Sequence, residues 1–206
     1  MPSNRRDIPR DDRINAILDV ATRLFLARGF NETTVADIAR QAGVQSGAVY
    51  WYFPSKDHVL AAVMERATVR ELERIDRLPP DVSGRDRLVR YLADLRPFRD
   101  LHNSVRERAR SSEVVRETEN VIWKRIRTLI QRVFDEQPTW CDPEMAADVI
   151  FAAFEGSNVE AEPRIYGTDM VRFLLDSVFL VPSPGAAPQA DRNGSLKRPR
   201  KRVAGS

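Results

Sequence analysis

Thr33-Thr34-Val35-Ala36-Asp37-Ile38-Ala39-Arg40-Gln41-Ala42-Gly43-Val44-Gln45-Ser46-Gly47-Ala48-Val49-Tyr50-Trp51-Tyr52-Phe53-Pro54-Ser55-Lys56 decides how the rest of the 206 residues are read. Thr34 has an acid, Asp37, three residues on, which is the spacing of a capping box. Val35, Ile38, Ala39 and Ala42 then recur at i, i+3, i+4 and i+7, one face of a helix. Gly43 ends that helix after about two turns. Gly43-Val44-Gln45 is a short turn, and Ser46 is the expected N-cap of the next helix. Pro54 stops that helix, because the residue before a proline avoids the α region. Ser55 caps a longer fourth helix.

Two short helices joined by a glycine-containing turn have the outline of a helix-turn-helix. The turn fixes the angle between them, so the second can enter a DNA major groove while the first braces on the backbone. Val44, Val49 and Phe53 are expected to pack inward. Ser46, Gly47, Ala48, Tyr50 and Tyr52 are then available to the groove. Gly47 and Ala48 are small enough for close approach, and Tyr50 offers a hydroxyl to phosphate and a ring to a thymine methyl. Lys56 joins the free backbone amides of the next helix in a phosphate grip. The competing reading is a plain helical corner with core aromatics. Against it, consecutive helical residues lie about 100° apart, so Tyr50, Trp51 and Tyr52 cannot share one buried face.

Thr33–Val44 followed by Gly47–Lys56 resembles the DNA-binding domain of TetR-family transcriptional regulators. The resemblance covers roughly residues 12–66. It implies an all-α fold and a homodimer that binds a palindromic operator and represses until a small ligand binds its C-terminal domain. It further implies phosphate contacts from Thr34, Tyr50 and Lys56. Gln45, Ser46, Gly47, Ala48, Trp51 and Tyr52 match positions at or near the bases. Ser46 and Tyr52 depart from the Lys or Arg, and the His, common there, so the preferred bases do not carry over.

Outward from this stretch the periodicity stays helical, giving about nine helices in all. Upstream, Ile14, Ile17, Leu18, Ala21, Leu24 and Phe25 mark a first helix closed by Gly29. Residues 1–12 read as a flexible arm, with Arg5, Arg6 and Arg10 either solvated or inserted into a minor groove. Residues 13–56 form the DNA-binding unit. Residues 57–181 are expected to hold the ligand-binding and dimerisation domain. Its helices are marked by Leu88 to Leu95 with a break near Pro97, by Val121 to Phe134 ending at Gln137-Pro138, by Pro143 to Phe154, and by Val171 to Phe179. Residues 182–206, rich in proline and poor in large apolar side chains, read as a disordered basic tail.

Charge refines this division. The net charge is +3, spread as +2 over 1–56, −4 over 57–181 and +5 over 182–206. The basic excess therefore lies mostly in the tail, around Lys197-Arg198-Pro199-Arg200-Lys201-Arg202. That cluster is either a non-specific DNA-attracting element or a solvated end.

In the C-terminal half, an apolar pocket between helices is the expected ligand site. Tyr91, Phe98, Trp123, Ile126, Phe151 and Phe154 are its candidate lining, for a small apolar or amphipathic molecule. Arg106, Arg108 and Arg110 read as a solvated charge face, or as partners of an acidic ligand. The last two helices are the expected homodimer surface, with Ala146, Ala147, Ala152 and Ala153 beside Phe151, Phe154, Leu174, Val178 and Phe179.

Other function classes find little support. No apolar run approaches a membrane span. A single cysteine, Cys141, allows no intrachain disulfide and suits a reducing cytoplasm. No phosphate loop, nucleophile elbow or zinc-protease motif is present, so no catalytic residue is assigned. His58 and His102 have no Cys or His neighbour at metal spacing, so neither a metal nor a cofactor is expected. Glu71 and Glu73 read as helix-surface charges.

Overall fold

The structure is a computed structural model that describes residues 9–136, 139–157 and 167–179. The tail 182–206, Arg5 and Arg6 of the arm, and the helix stop at Gln137-Pro138 lie outside these residues. The order is α1 (Arg10–Arg28), α2 (Val35–Ala42), α3 (Ser46–Tyr52), α4 (Lys56–Asp76), α5 (Gly84–Asp94), a 3₁₀ turn (Arg96–Phe98), α6 (Arg99–Ala109), α7 (Glu113–Glu136), α8 (Pro143–Ser157) and α9 (Gly167–Phe179). The described residues contain no strand, so the expected all-α class holds. None of their helices is long and apolar enough to cross a membrane.

Helix α1 starts at Arg10, so residues 10–12 belong to a helix and not to the arm. Pro9 is extended (φ −52°, ψ 149°) and its carbonyl accepts from Arg13 N at 3.2 Å. Asp11 and Asp12 then sit in the first turn, where the helix dipole favours acids. Ile17, Leu18, Ala21, Leu24 and Phe25 are buried, as their spacing predicts, and α2 and α4 pack against α1.

The break near Pro97 is the 3₁₀ turn, and α6 follows it as a helix of its own. Apolar spacing does not single α6 out. Its buried residues are only Leu101, Val105 and Ala109, a thin stripe among charges. Helix α4 packs on α1 as well as on α5, α6 and α7, and its buried residues Val59, Leu60, Val63 and Met64 join one continuous core. The corner after α4 is held by Arg87, whose guanidinium donates to the carbonyls of Ile75 (2.6 Å), Leu78 (3.1 Å), Pro79 (2.5 Å) and Val82 (3.0 Å).

Helices α8 and α9 pack on each other and on the body of the domain. Ala146, Ala147 and Phe154, expected on a dimer surface, are instead buried within the chain. The large apolar side chains that face outward are Met145 (67% exposed) and Val149 on α8 and Phe173 (68%) on α9, and Ala152, also expected on the dimer surface, is exposed beside them. Residues 145 and 149 are one turn apart, so the exposed stripe lies on the face opposite the buried alanines. Arg106 and Arg108 are not a solvated face either, since they pair with Glu155 of α8 and Asp57 of α4.

Candidate nucleic-acid interface

The capping box predicted at Thr34 is present and complete. Thr34 Oγ1 accepts from Asp37 N at 3.1 Å and donates to Asp37 Oδ2 at 2.6 Å, while Thr34 N donates to the same carboxylate at 3.2 Å. These bonds, with Arg40 at 2.5 Å, hold the Asp37 carboxyl below its usual range. The Thr34 hydroxyl proton is thus committed to Asp37. A phosphate arriving there meets the unpaired amides of the first turn of α2.

Gly43 is left-handed (φ 69°, ψ 28°). Its N–H donates to Arg40 O at 3.3 Å, and Val44 N reaches back to Ala39 O at 3.0 Å. These bonds close the helix and send the chain into α3. A side chain at Gly43 would meet nothing within 4 Å, so conformation and not crowding asks for glycine. The N-cap of α3 is Gln45, not Ser46, and it makes no side-chain cap bond. Ser46 is the first helical residue, so α3 begins without a side-chain cap. A polar partner from outside can satisfy the free amides there.

Along α3, Val49 is fully buried and Phe53 nearly so, with Val44 half-buried beside them. Tyr50 is 51% exposed and Trp51 81% exposed, the largest apolar exposure on the chain's described surface. Gly47 is exposed, and Ser46, Ala48 and Tyr52 are half-buried. Arg10 lies 6.0 Å from the centre of the Tyr52 ring, which brings a cation of α1 to the same face. A cleft of about 700 Å³ runs between α1 and the α2–α3 corner, with Asp12, Arg13, Ile17, Val44, Ala48 and Trp51 among its lining residues.

Lys56 is placed differently from the phosphate grip expected of it. Its ammonium turns inward and donates to the carbonyls of Phe30 (2.9 Å), Thr33 (3.1 Å) and Asn31 (3.5 Å), 4.2 Å from the centre of the Phe30 ring. Burial pushes its pKa down, against the pull of Asp57. Lys56 therefore staples the start of α4 to the corner between α1 and α2. The free amides beside it remain available at that helix end, capped by Ser55, whose Oγ accepts from His58 N at 3.4 Å. The Asp57–Arg108 pair is the contributor that sequence reading missed, and Arg10 is placed on a helix and not in a flexible arm. Arg10 fell in the expected arm, and the pair joins residues 51 apart.

In the C-terminal half, Trp123 and Phe151 meet edge to face, ring centres 4.1 Å apart. They line a cavity of about 360 Å³ between α7 and α8 with Ile130 and Ala147. Tyr91, Ile126 and Phe154 are buried in the core and Phe98 is half-buried at the 3₁₀ turn. The described residues hold no group of three His, Cys, Asp or Glu side chains that could bind a metal.

Residues 17–63 match the profile of the bacterial regulatory proteins, tetR family. The HTH-type transcriptional regulator AcrR of Shigella flexneri is 42% identical over 59 residues, 28% of this chain and 27% of that protein. SrpR of Pseudomonas putida, also an HTH-type transcriptional regulator, is 50% identical over 48 residues, 23% of this chain and 22% of that protein. The match thus spans about a quarter of the length of these relatives. Similarity of fold extends further. A Saccharomonospora viridis protein described as a transcriptional regulator and solved in complex with choline aligns with TM-score 0.66 at 21% identity, over 81% of this chain and 95% of that one. Salmonella enterica GusR aligns with TM-score 0.64 at 20% identity, over 84% and 98%.

Proposed function

We propose, from the match of residues 17–63 to the tetR family, that the whole protein is a DNA-binding transcriptional regulator and not an enzyme. The observation that carries this is the presentation of α3. Val49 and Phe53 anchor one side in the core, Gly43 sets the entry angle, and Tyr50, Trp51, Gly47 and Ser46 are left on the outer side. A helix held so rigidly, with aromatics kept in water at a cost, is built to meet another surface. Its small residues suit the approach to a groove. The first-turn amides of α2 that follow Thr34, the Tyr50 hydroxyl and the amides at the start of α4 are the proposed phosphate contacts. Gln45, Ser46, Gly47, Ala48, Trp51 and Tyr52 are proposed at or near the bases, and Lys56 supports them from behind.

The protein acts as a homodimer. Met145, Val149 and Phe173 form the apolar face that a two-fold partner covers, which sets two copies of α3 on successive turns of a palindromic operator, ~34 Å apart. A small molecule bound in the C-terminal half favours a spacing that no longer fits, and repression ends. The choline held by the S. viridis protein supports the view that this fold houses small ligands. Regulation of this kind takes place in the cytoplasm.

Selection of binding sites from random duplex DNA, followed by footprinting, tests the reading. An enriched palindrome protected on two adjacent major-groove faces is expected. Recovery of no sequence, with no footprint on any DNA, overturns it.

A further inference from the structure

The surface offered to DNA is short of positive charge. In a chain that is 31% charged, residues 41–55 contain no Asp, Glu, Lys, Arg or His. That stretch holds the turn at Gly43 and the whole of α3. The cations at its two ends are engaged elsewhere. Lys56 is spent on the carbonyls of Phe30 and Thr33, and Arg40 is tied to Asp37 at 2.5 Å. Duplex DNA is a dense polyanion, and much of the affinity for it comes from cations set against its phosphates. The charge must therefore come from another element.

Helix α1 brings it. Arg10 Cζ lies 6.0 Å from the centre of the Tyr52 ring, at the C-terminal end of α3. That is the outer reach of a cation–π contact. Arg10 is also fixed in its backbone. It is the first helical residue, behind an extended Pro9 whose carbonyl accepts from Arg13 N at 3.2 Å. Its side chain is exposed, and the ion pairs of the described residues do not engage it. Asp11 points about 100° around the helix from it. The cleft beside α3 is lined by Asp12 as well as Arg13, so its own charges oppose each other. Arg10 stands outside that lining, and its charge is the one left over.

We propose that Arg10 is the cation that grips the DNA backbone beside α3, and that Tyr52 is the residue that positions it. This rests on the DNA-binding reading above and adds to it the source of the charge that α3 lacks. A guanidinium resting over a ring keeps its N–H edge free, and that edge matches a phosphate in a two-pronged grip. Tyr52 thus acts through Arg10, and the hydroxyl of Tyr52 is not needed for that task.

Equilibrium titration of the full chain with two duplexes tests this, one of mixed sequence and one enriched by the selection described above, each over a range of potassium chloride concentrations. Arg10→Gln should weaken binding to both duplexes alike, by roughly tenfold. It should also lower the slope of log affinity against log salt by about 1 for each half-site. Its melting temperature should stay that of the wild type. Tyr52→Phe keeps the ring and should keep the salt slope. Tyr52→Leu should lose part of that slope, which a packing role alone would not move, and should cost little more when added to Arg10→Gln. Should Tyr52→Leu fail to fold, Arg10→Gln decides alone. Wild-type affinity and slope in Arg10→Gln overturn the proposal and leave DNA binding standing. A loss confined to the enriched duplex makes Arg10 a reader of bases and overturns the backbone grip. Equal losses from Tyr52→Leu with and without Arg10 overturn the positioning role. A wild type that binds neither duplex removes the regulator reading and the proposal with it.

Discussion

Arg108 grips Asp57 with two parallel bonds, Nε to Oδ1 at 3.0 Å and Nη2 to Oδ2 at 2.6 Å. Asp57 follows Lys56 in the first turn of α4, and Arg108 lies in the last turn of α6. The pair thus ties α6 to the point where α4 leaves the DNA-binding unit. Arg108→Ala should lower stability by about 1 kcal/mol, a modest figure because the arginine is part-exposed. The pair, with Ser112, holds the Asp57 carboxyl below its usual range. A carboxyl of depressed pKa contributes stability above its unfolded value, about 4, and that contribution is lost as pH falls through the folded value. Melting temperatures measured from pH 6 to pH 3 should therefore fall more steeply in the wild type than in Arg108→Ala.

Lys56 and Tyr50 should separate structure from recognition. Lys56→Met strands carbonyls of the α1–α2 corner and should cost about 1–3 kcal/mol. Its DNA affinity should fall together with its melting temperature. Tyr50→Ala removes a half-exposed ring, so its stability should stay within about 0.5 kcal/mol while operator binding drops sharply. Calorimetry beside a mobility-shift titration distinguishes the two patterns.

The two glycines around the turn should respond oppositely to alanine. Gly43→Ala forces a side chain into a left-handed residue and should cost about 1 kcal/mol, though space is open there. Gly47→Ala, also in open space, should instead stabilise the isolated protein by about 0.5–1 kcal/mol through helix propensity. It should nonetheless bind DNA less well, because the added methyl faces the groove. Chemical denaturation and operator titration of both variants would check this.

Much of the DNA-binding unit can be read from local spacing. The Thr34–Asp37 box, the left-handed Gly43 and the stop at Phe53-Pro54 each depend on residues within a few positions, and each is present. The misplacements come from tertiary partners. Lys56 turns inward because three carbonyls more than twenty residues away outcompete solvent for its ammonium. Ala146, Ala147 and Phe154 are buried because α8 turns its small face to its own chain. Helix α6 carries too thin an apolar stripe to announce itself.

Met145 and Phe173 should control assembly. Each is more than three-fifths exposed, so Met145→Glu with Phe173→Glu should leave the folded chain nearly as stable as before. Sedimentation velocity should then report a monomer in place of a dimer, with loss of operator binding. A dimer that survives both charges would place the interface elsewhere.

His102 should make the fold sensitive to mild acid. Its burial, with Arg106 beside it, pushes the imidazole down to about 4. The unfolded chain takes up the proton near 6.5, so it binds protons first as pH falls. Stability should then decline between about pH 6.5 and 4, by up to about 3 kcal/mol. His102→Gln should flatten that stretch of a stability–pH curve, leaving the steeper loss at lower pH to the carboxylates.

Helix α4 is pinned at both ends, by Lys56 to the corner below and by Arg87 to the corner above. Its 21 residues span roughly 31 Å. A rod clamped this way cannot absorb a disturbance by fraying, so it must swing as one piece. A tilt of about 5° at its upper end would carry its lower end through roughly 3 Å. Under the proposed ligand response such a lever arm would convert a small repacking among α5, α6 and α7 into a shift large enough to take α3 out of register with a groove.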